Sequence, residues 1–169
     1  MNIRSVIDIR YAQIRSLDLS NGEDIGVALF VQGCPVPHCK GCFNPETWNF
    51  TGGKEWTQEV ENKFLKLIEK SYIKRISFLG GECLTKENIK EVTDLVKKCK
   101  LLFPDKKIWL WSRYNYEEYI CGLEIVKYLD YVVDGEFIEE LKDISLIFRG
   151  SSNQNIWKKT KEGEWCKMT

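Results

Sequence analysis

The chain has 169 residues, which suits one domain, and 43% of them are hydrophobic, which is enough material for a core. Lysine plus arginine and aspartate plus glutamate number 25 each, so the formal net charge is zero. A neutral chain gives no support for a broad nucleic-acid-binding surface or for attraction to an anionic membrane. No apolar run approaches the roughly 20 residues of a membrane span, and residues 1–10 lack the apolar stretch of a secretory signal. We therefore expect a cytoplasmic protein with no nucleic-acid or membrane partner.

Apolar runs alternate with stretches of helical periodicity along the chain. In the first half, the predicted elements are an extended segment at residues 11–19, a buried strand at 25–32, a proline-containing loop at 34–53, a helix at 57–71 and a strand at 75–79. In the second half, they are a helix from a cap at Thr85 to Phe103, a strand at 108–111, a helix at 116–126 and a strand at 131–133. Residues 147–169 are expected to form a loop with one short strand.

Alternating strands and helices imply parallel βα units. A closed eight-fold barrel takes about 250 residues, so this chain has room for only about five to six units. We therefore predict one α/β domain over residues 1–169, with its core at about residues 10–157. Its expected architecture is an incomplete (β/α) barrel with a mostly parallel sheet. In such folds the chemistry lies at the carboxyl ends of the strands.

Reactive or polar residues follow four of the predicted strands. They are Cys34, the run Gly-Gly-Glu at 80–82, the pair Ser-Arg at 112–113 and the pair Asp-Gly at 134–135. Because parallel strands end at the same edge of a sheet, we expect these residues to converge on one site.

Three of the seven cysteines lie within nine residues, in the spacing Cys34-x4-Cys39-x2-Cys42. In a reducing compartment this clustering favours metal binding over disulfides. Thiolates suit iron–sulfur clusters and zinc alike, and His38 could complete a tetrahedral Cys3His zinc site. Three close thiolates could instead hold three irons of a four-iron cluster and leave the fourth iron free. The loop alone supports a zinc site and an iron–sulfur cluster about equally. A third interpretation is that the thiols bind no metal.

The run of Gly80, Gly81 and Glu82 strengthens the cluster interpretation. Two glycines after a strand allow the backbone to approach a ligand closely. Their carbonyl groups and the Glu82 carboxylate could accept hydrogen bonds from an ammonium group. The alternative is an ordinary turn between a strand and a helix.

Several motifs resemble those of the radical S-adenosylmethionine superfamily. They are Phe-Val-Gln-Gly-Cys at residues 30–34, Cys-Lys-Gly-Cys-Phe-Asn at 39–44 and Thr-Trp at 47–48. Within that superfamily the chain is most similar to the anaerobic ribonucleotide reductase activating proteins. Asp-Gly-Glu-Phe at 134–137 and Arg-Gly-Ser-Ser-Asn-Gln at 149–154 extend this resemblance over roughly residues 10–157.

The resemblance implies a [4Fe-4S] cluster on Cys34, Cys39 and Cys42, with an open iron that chelates S-adenosylmethionine. Positions that match the family's cofactor-binding motifs are Gly41, Cys42, Phe43, Gly80, Gly81 and Glu82. One electron from the cluster would split the cofactor into methionine and a 5′-deoxyadenosyl radical. That radical would take a hydrogen atom from a backbone glycine of the large subunit of anaerobic ribonucleotide reductase. No catalytic side chain is expected, because the radical forms on the cofactor. The implied electron donor is a flavodoxin-type or ferredoxin-type protein.

The chain departs from the family pattern at three places, one of which is Cys83, where the family commonly has proline after Gly-Gly-Glu. Four residues separate Cys34 from Cys39, where the family usually has three, so we expect a bulge that still lets both thiolates reach the cluster. Arg113 stands where relatives often carry glycine. Two other functions remain open: a radical enzyme that acts on a small molecule, and a non-enzymatic zinc-binding interaction module.

Overall fold

The computed structural model describes residues 9–168. We expected no secretory signal in residues 1–10, and most of that segment lies outside the described residues. One mixed sheet of eight strands runs through the described residues, in the order β3-β1-β2-β4-β5-β6-β7-β8. The strands are β1 (Arg10–Asp18), β2 (Gly26–Val31), β3 (Lys54–Glu55), β4 (Arg75–Gly80), β5 (Lys107–Trp111), β6 (Tyr131–Asp134), β7 (Asn155–Lys159) and β8 (Trp165–Met168). The α-helices in this part of the chain are α1 (Gln58–Glu69) and α2 (Ile89–Leu102). Neither is long and apolar enough to cross a membrane.

The sheet is parallel only at its centre. β2, β4, β5 and β6 run parallel to one another. β1 and β3 extend the sheet with antiparallel pairing on one side, and β7 and β8 do so on the other. The carboxyl ends of the four central strands therefore lie at one edge, as the polar residues after them predicted.

The predicted incomplete (β/α) barrel of five to six units is wrong. Residues 9–168 form an eight-stranded mixed sheet with two α-helices, not a barrel of βα units. The predicted helix at 116–126 is replaced by 3-10 turns at Ile120–Gly122 and Glu124–Tyr128. Each turn buries one isoleucine, Ile120 in the first and Ile125 in the second. The tail, expected to hold one short strand, pairs β7 with β8.

Both helices pack on one face of the sheet. Thr57 caps α1, because its side-chain oxygen accepts a hydrogen bond from the Val60 N–H at 3.2 Å. α2 begins after Asn88 instead of at the predicted cap, Thr85. The Asn88 side-chain amide donates to the Glu82 carbonyl oxygen at 3.0 Å, so it anchors the turn that follows β4. The buried apolar residues between helices and sheet include Leu29, Phe64, Ile68, Ile76, Phe78, Val92, Val96, Ile108 and Leu110.

Aromatic side chains line the opposite face of the sheet. Side chains alternate along a strand, so residues adjacent to the core positions point away from the helices. Trp109 stacks on Tyr131 there, with ring centroids 4.0 Å apart and planes 11° apart. Phe148 meets Trp109 edge-on at 5.2 Å. Neither α-helix contributes a residue to the buried clusters on this face, so space remains for a cavity.

A buried ion pair joins the start of β4 to the end of β1. Arg75 Nη1 lies 3.0 Å from Asp18 Oδ2, and each side chain is only 1% exposed. The Arg75 guanidinium also donates to the carbonyl oxygens of Asp18, Glu23 and Asp24. These contacts connect the residues at and after the end of β1 to the central sheet. Removal of Arg75 therefore leaves several hydrogen-bond acceptors unpaired.

We predict that Arg75→Ala lowers the free energy of unfolding by about 3–5 kcal/mol, because it removes the buried cation that pairs with Asp18 and leaves buried carbonyl acceptors unpaired. Urea unfolding followed by circular dichroism measures the effect. The matched control is Lys63→Ala, which breaks an exposed pair with Glu59 (3.2 Å) and should cost less than about 1 kcal/mol. Equal losses in the two variants would contradict this account.

Candidate functional site

A cavity of about 570 Å³ lies on the face of the sheet that the helices leave free, at the carboxyl ends of the central strands. Of the predicted site residues, those that line it are Cys34, Cys39, Cys42, Phe43, Gly80, Gly81 and Glu82. Gly41 does not line the cavity; it lies at an exposed turn with φ of 75°. The fold thus brings residues from widely separated parts of the chain to one place.

Backbone hydrogen bonds close the base of the cysteine loop. The Gly33 N–H donates to Thr47 O at 2.7 Å, and the Cys34 N–H donates to Trp48 O at 3.0 Å. Within the loop, the Cys42 N–H donates to Cys39 O at 3.2 Å. The loop therefore leaves and rejoins the sheet at one point, which keeps its cysteines at the cavity.

The thiols of Cys34 and Cys39 are partly buried, and this burial raises the pKa of each above its ordinary value. The positive charge of Arg113 opposes both shifts, because it stabilises the thiolate form. Metal ligation requires the thiolate, so binding at this loop releases protons.

The three thiols of the loop are donors that an iron–sulfur cluster prefers, and His38 is turned toward Cys34 O and Trp48. In the part of the chain that the structure describes, no three His, Cys, Asp or Glu side chains are arranged to hold one metal ion. His38 does not face the cysteines as a fourth ligand would: its Nε2 lies 3.0 Å from Cys34 O, and its ring stacks on Trp48 at 4.1 Å. A cluster is a larger body than one ion, and thiolates from Cys34, Cys39 and Cys42 are the ligands it prefers.

Gly80 and Gly81 permit a close approach between neighbouring backbones. A Cβ at Gly81 would lie 2.4 Å from the Gly33 carbonyl oxygen, and Gly80 has a φ of 115°. The Gly81 N–H donates to Val31 O at 2.8 Å, and the Glu82 N–H donates to Gly33 O at 2.7 Å. The glycines therefore fasten the end of β4 to the base of the cysteine loop; a role in approaching a ligand stays a prediction.

The Glu82 carboxylate is 1% exposed and accepts hydrogen bonds from three donors. Its Oε2 accepts from the Leu84 N–H and the Ser112 hydroxyl, both at 2.9 Å, and its Oε1 accepts from the Arg113 N–H at 2.7 Å. Burial raises the pKa of Glu82 to about 7, although these donors favour the charged form. Glu82 thus links the ends of β4 and β5 while it lines the cavity.

Known proteins are similar to this chain over most of its length. Residues 20–157 match the family model described as a 4Fe-4S single cluster domain. An anaerobic ribonucleoside-triphosphate reductase-activating protein of Enterobacteria phage T4 is 38% identical over 157 residues, which is 93% of this chain and 98% of that protein. Proteins of the same name from Vibrio cholerae and Escherichia coli K12 are 40% and 37% identical over 151 residues, which is 88% of this chain and 97% of each relative. The chain belongs to this 4Fe-4S family of activating proteins.

In this member of the 4Fe-4S family, the sequence did not indicate the contacts that Arg113 and Glu136 make at the cysteine loop. The sequence places Arg113 after a strand and at a position where relatives often carry glycine, but it does not show that the guanidinium reaches the loop between Cys34 and Cys39. Glu136 pairs with it at 3.0 Å. A charged residue directly after a buried strand indicates that Arg113 could have a function. The spacing of residues in the sequence does not indicate which group it contacts.

The ionisation of Glu82 should make the protein less stable as the pH rises. The carboxyl has a pKa of about 7 when folded and 4.5 as its ordinary value, so the folded state binds this proton more tightly. The stabilisation is full below pH 4.5 and is lost as the pH rises through 7, by up to about 3 kcal/mol. Urea midpoints between pH 5 and 8 should fall in the parent protein and stay flatter in Glu82→Gln. Identical slopes would show that Glu82 does not cause the dependence.

Proposed function

We propose that this chain is a radical S-adenosylmethionine activating enzyme for anaerobic ribonucleoside-triphosphate reductase. It would cleave S-adenosylmethionine reductively at a [4Fe-4S] cluster and generate a glycyl radical on the large subunit of the reductase. One observation carries the proposal: in a chain of this family, a single cavity is lined by Cys34, Cys39, Cys42 and the run 80–82.

The three cysteines would hold the cluster and leave one iron without a protein thiolate. Among residues 9–168, no other cysteine lines the cavity, so the loop supplies three thiolates and no fourth. Bound there, the cluster would supply the electron that breaks a carbon–sulfur bond of S-adenosylmethionine, which leads to hydrogen abstraction from a backbone glycine. A flavodoxin-type or ferredoxin-type protein is the proposed one-electron donor.

The cavity has room and polar groups for the nucleoside cofactor. Its volume of about 570 Å³ lies within the roughly 300–1,000 Å³ typical of small-molecule sites. Gly80, Gly81 and Glu82 would receive the amino group at one end. Gly41, Cys42 and Phe43 would lie along the adenosine, although Gly41 would have to contribute from the edge, since it does not line the cavity.

Apolar side chains at the rim suit contact with a protein substrate. Ile144, which lines the cavity, is 94% exposed, and Phe43 is 59% exposed. Ile147 nearby in the chain is 66% exposed. Exposed apolar groups around a cavity are typical of surfaces that a partner covers. We infer that the glycine-bearing segment of the reductase enters from this side.

Cleavage of the cofactor tests the cluster ligands. After anaerobic reconstitution with iron and sulfide, dithionite and S-adenosylmethionine should give methionine and 5′-deoxyadenosine, measured by liquid chromatography. Cys34→Ala, Cys39→Ala and Cys42→Ala should each abolish both products, because each removes a thiolate. The matched control is Cys166→Ala, an exposed cysteine on β8 that should leave both products unchanged. Cleavage that persists without Cys39 would show that the ligand assignment is wrong.

The identity of the protein substrate needs its own measurement. When the reconstituted protein, S-adenosylmethionine and a reductant are mixed with the large subunit of an anaerobic ribonucleoside-triphosphate reductase, electron paramagnetic resonance should detect a glycyl radical on that subunit. Replacement of the radical-bearing glycine by alanine is the control. Cofactor cleavage without any radical on the reductase would favour a small-molecule substrate.

A further inference from the structure

The loop between Cys34 and Cys39 has little internal support. Pro35 and Pro37 have no N–H to donate, and residues 35–38 form no regular structure. Within residues 9–168, the hydrogen bond between the His38 ring and Cys34 O is the one contact in which a loop side chain braces the loop itself. The separation of the two thiols therefore depends on groups outside the loop.

Arg113, two residues after the end of β5, supplies such groups from a neighbouring part of the fold. Its Nη1 donates to Pro35 O at 2.9 Å and lies 3.8 Å from Cys34 Sγ. Its Nη2 donates to Pro37 O at 2.9 Å. The planar guanidinium thus holds two carbonyl groups in a fixed geometry, which a lysine ammonium could not reproduce.

Glu136, just after β6, connects this arginine to the second cysteine. Its Oε1 accepts a hydrogen bond from Arg113 Nη2 at 3.0 Å and lies 3.7 Å from Cys39 Sγ. The Arg113 side chain is 15% exposed, and its own backbone N–H is held by the buried Glu82 carboxylate. The arginine is therefore anchored before it reaches the loop.

We propose that Arg113 is a positioning residue for the metal ligands. With Glu136, it holds the four-residue loop so that Cys34 and Cys39 face the cavity at a separation suited to the cluster. The inference rests on the proposed role of these cysteines as ligands, and it adds a residue that belongs to no ligand-binding motif of the resemblance. The guanidinium beside Cys34 Sγ also places a positive charge next to the cluster, and such charges raise cluster reduction potentials.

Cluster retention and reduction potential test the role of Arg113. The parent protein, Arg113→Ala and Arg113→Lys are reconstituted anaerobically and exposed to an iron chelator, and loss of visible absorbance is followed. Loss should be about 10–100-fold faster in Arg113→Ala, the range found when residues that orient metal ligands are removed. Arg113→Lys should also lose the cluster faster, because it keeps the charge but not the two-pronged contact. An electron paramagnetic resonance titration should give a more negative potential for Arg113→Ala than for Arg113→Lys.

Lys40→Ala is the matched control, because it removes a positive charge next to Cys39, directly after this loop. Its ammonium pairs with the exposed carboxylates of Glu139 (3.5 Å) and Glu140 (3.9 Å), not with a cysteine, so retention should match the parent. Parental retention in both Arg113 variants would overturn the positioning role, as would equal acceleration in Lys40→Ala. If Arg113→Ala fails to fold, Arg113→Lys alone decides between these outcomes. Failure of the parent protein to assemble any cluster would instead overturn the proposed function.

Discussion

The buried carboxylate of Glu82 is the contact on which the geometry of the cavity depends. Its three donors come from the turn after β4 and from the residues that follow β5, so one side chain joins the segments after two parallel strands. Its own N–H donates to Gly33 O, which attaches the base of the cysteine loop to the same point. A buried carboxyl group is costly unless its oxygens are hydrogen-bonded, so the contacts that join these three segments also offset the cost of burying Glu82.

Charge balance around the cysteines follows from this arrangement. Desolvation disfavours thiolates in the cavity, and Arg113 is the nearby group that offsets it. Glu136 keeps the arginine in place but also faces Cys39 Sγ, so it opposes the thiolate that Arg113 favours. The site therefore sets the positive charge of Arg113 against the acidic groups Glu82, which acts on Cys34, and Glu136, which acts on Cys39.

The asymmetry of the sheet gives the cavity its position. Helices cover one face, where Phe64, Phe78 and their neighbours exclude water. The other face carries the Trp109 and Tyr131 stack and is closed only in part, by loops such as the one that holds Phe148. Antiparallel strands at both sides widen the sheet without adding helices. A sheet with helices on both faces would bury the surface on which Cys34 and Glu82 meet.

The sequence by itself determined the local features, namely the four central strands, the start of α1 and the convergence of Cys34 and the run 80–82 at strand ends. These follow from short-range rules: apolar period, turn residues and the shared direction of parallel strands. Only the tertiary structure decided the antiparallel pairing of β1, β7 and β8, because a short apolar segment carries no mark of its partner's direction. The same reason applies to Arg113, whose guanidinium reaches a loop 76 to 79 positions away in the chain. Long-range contacts of this kind depend on the packing of the whole sheet. A local sequence pattern does not predict that packing.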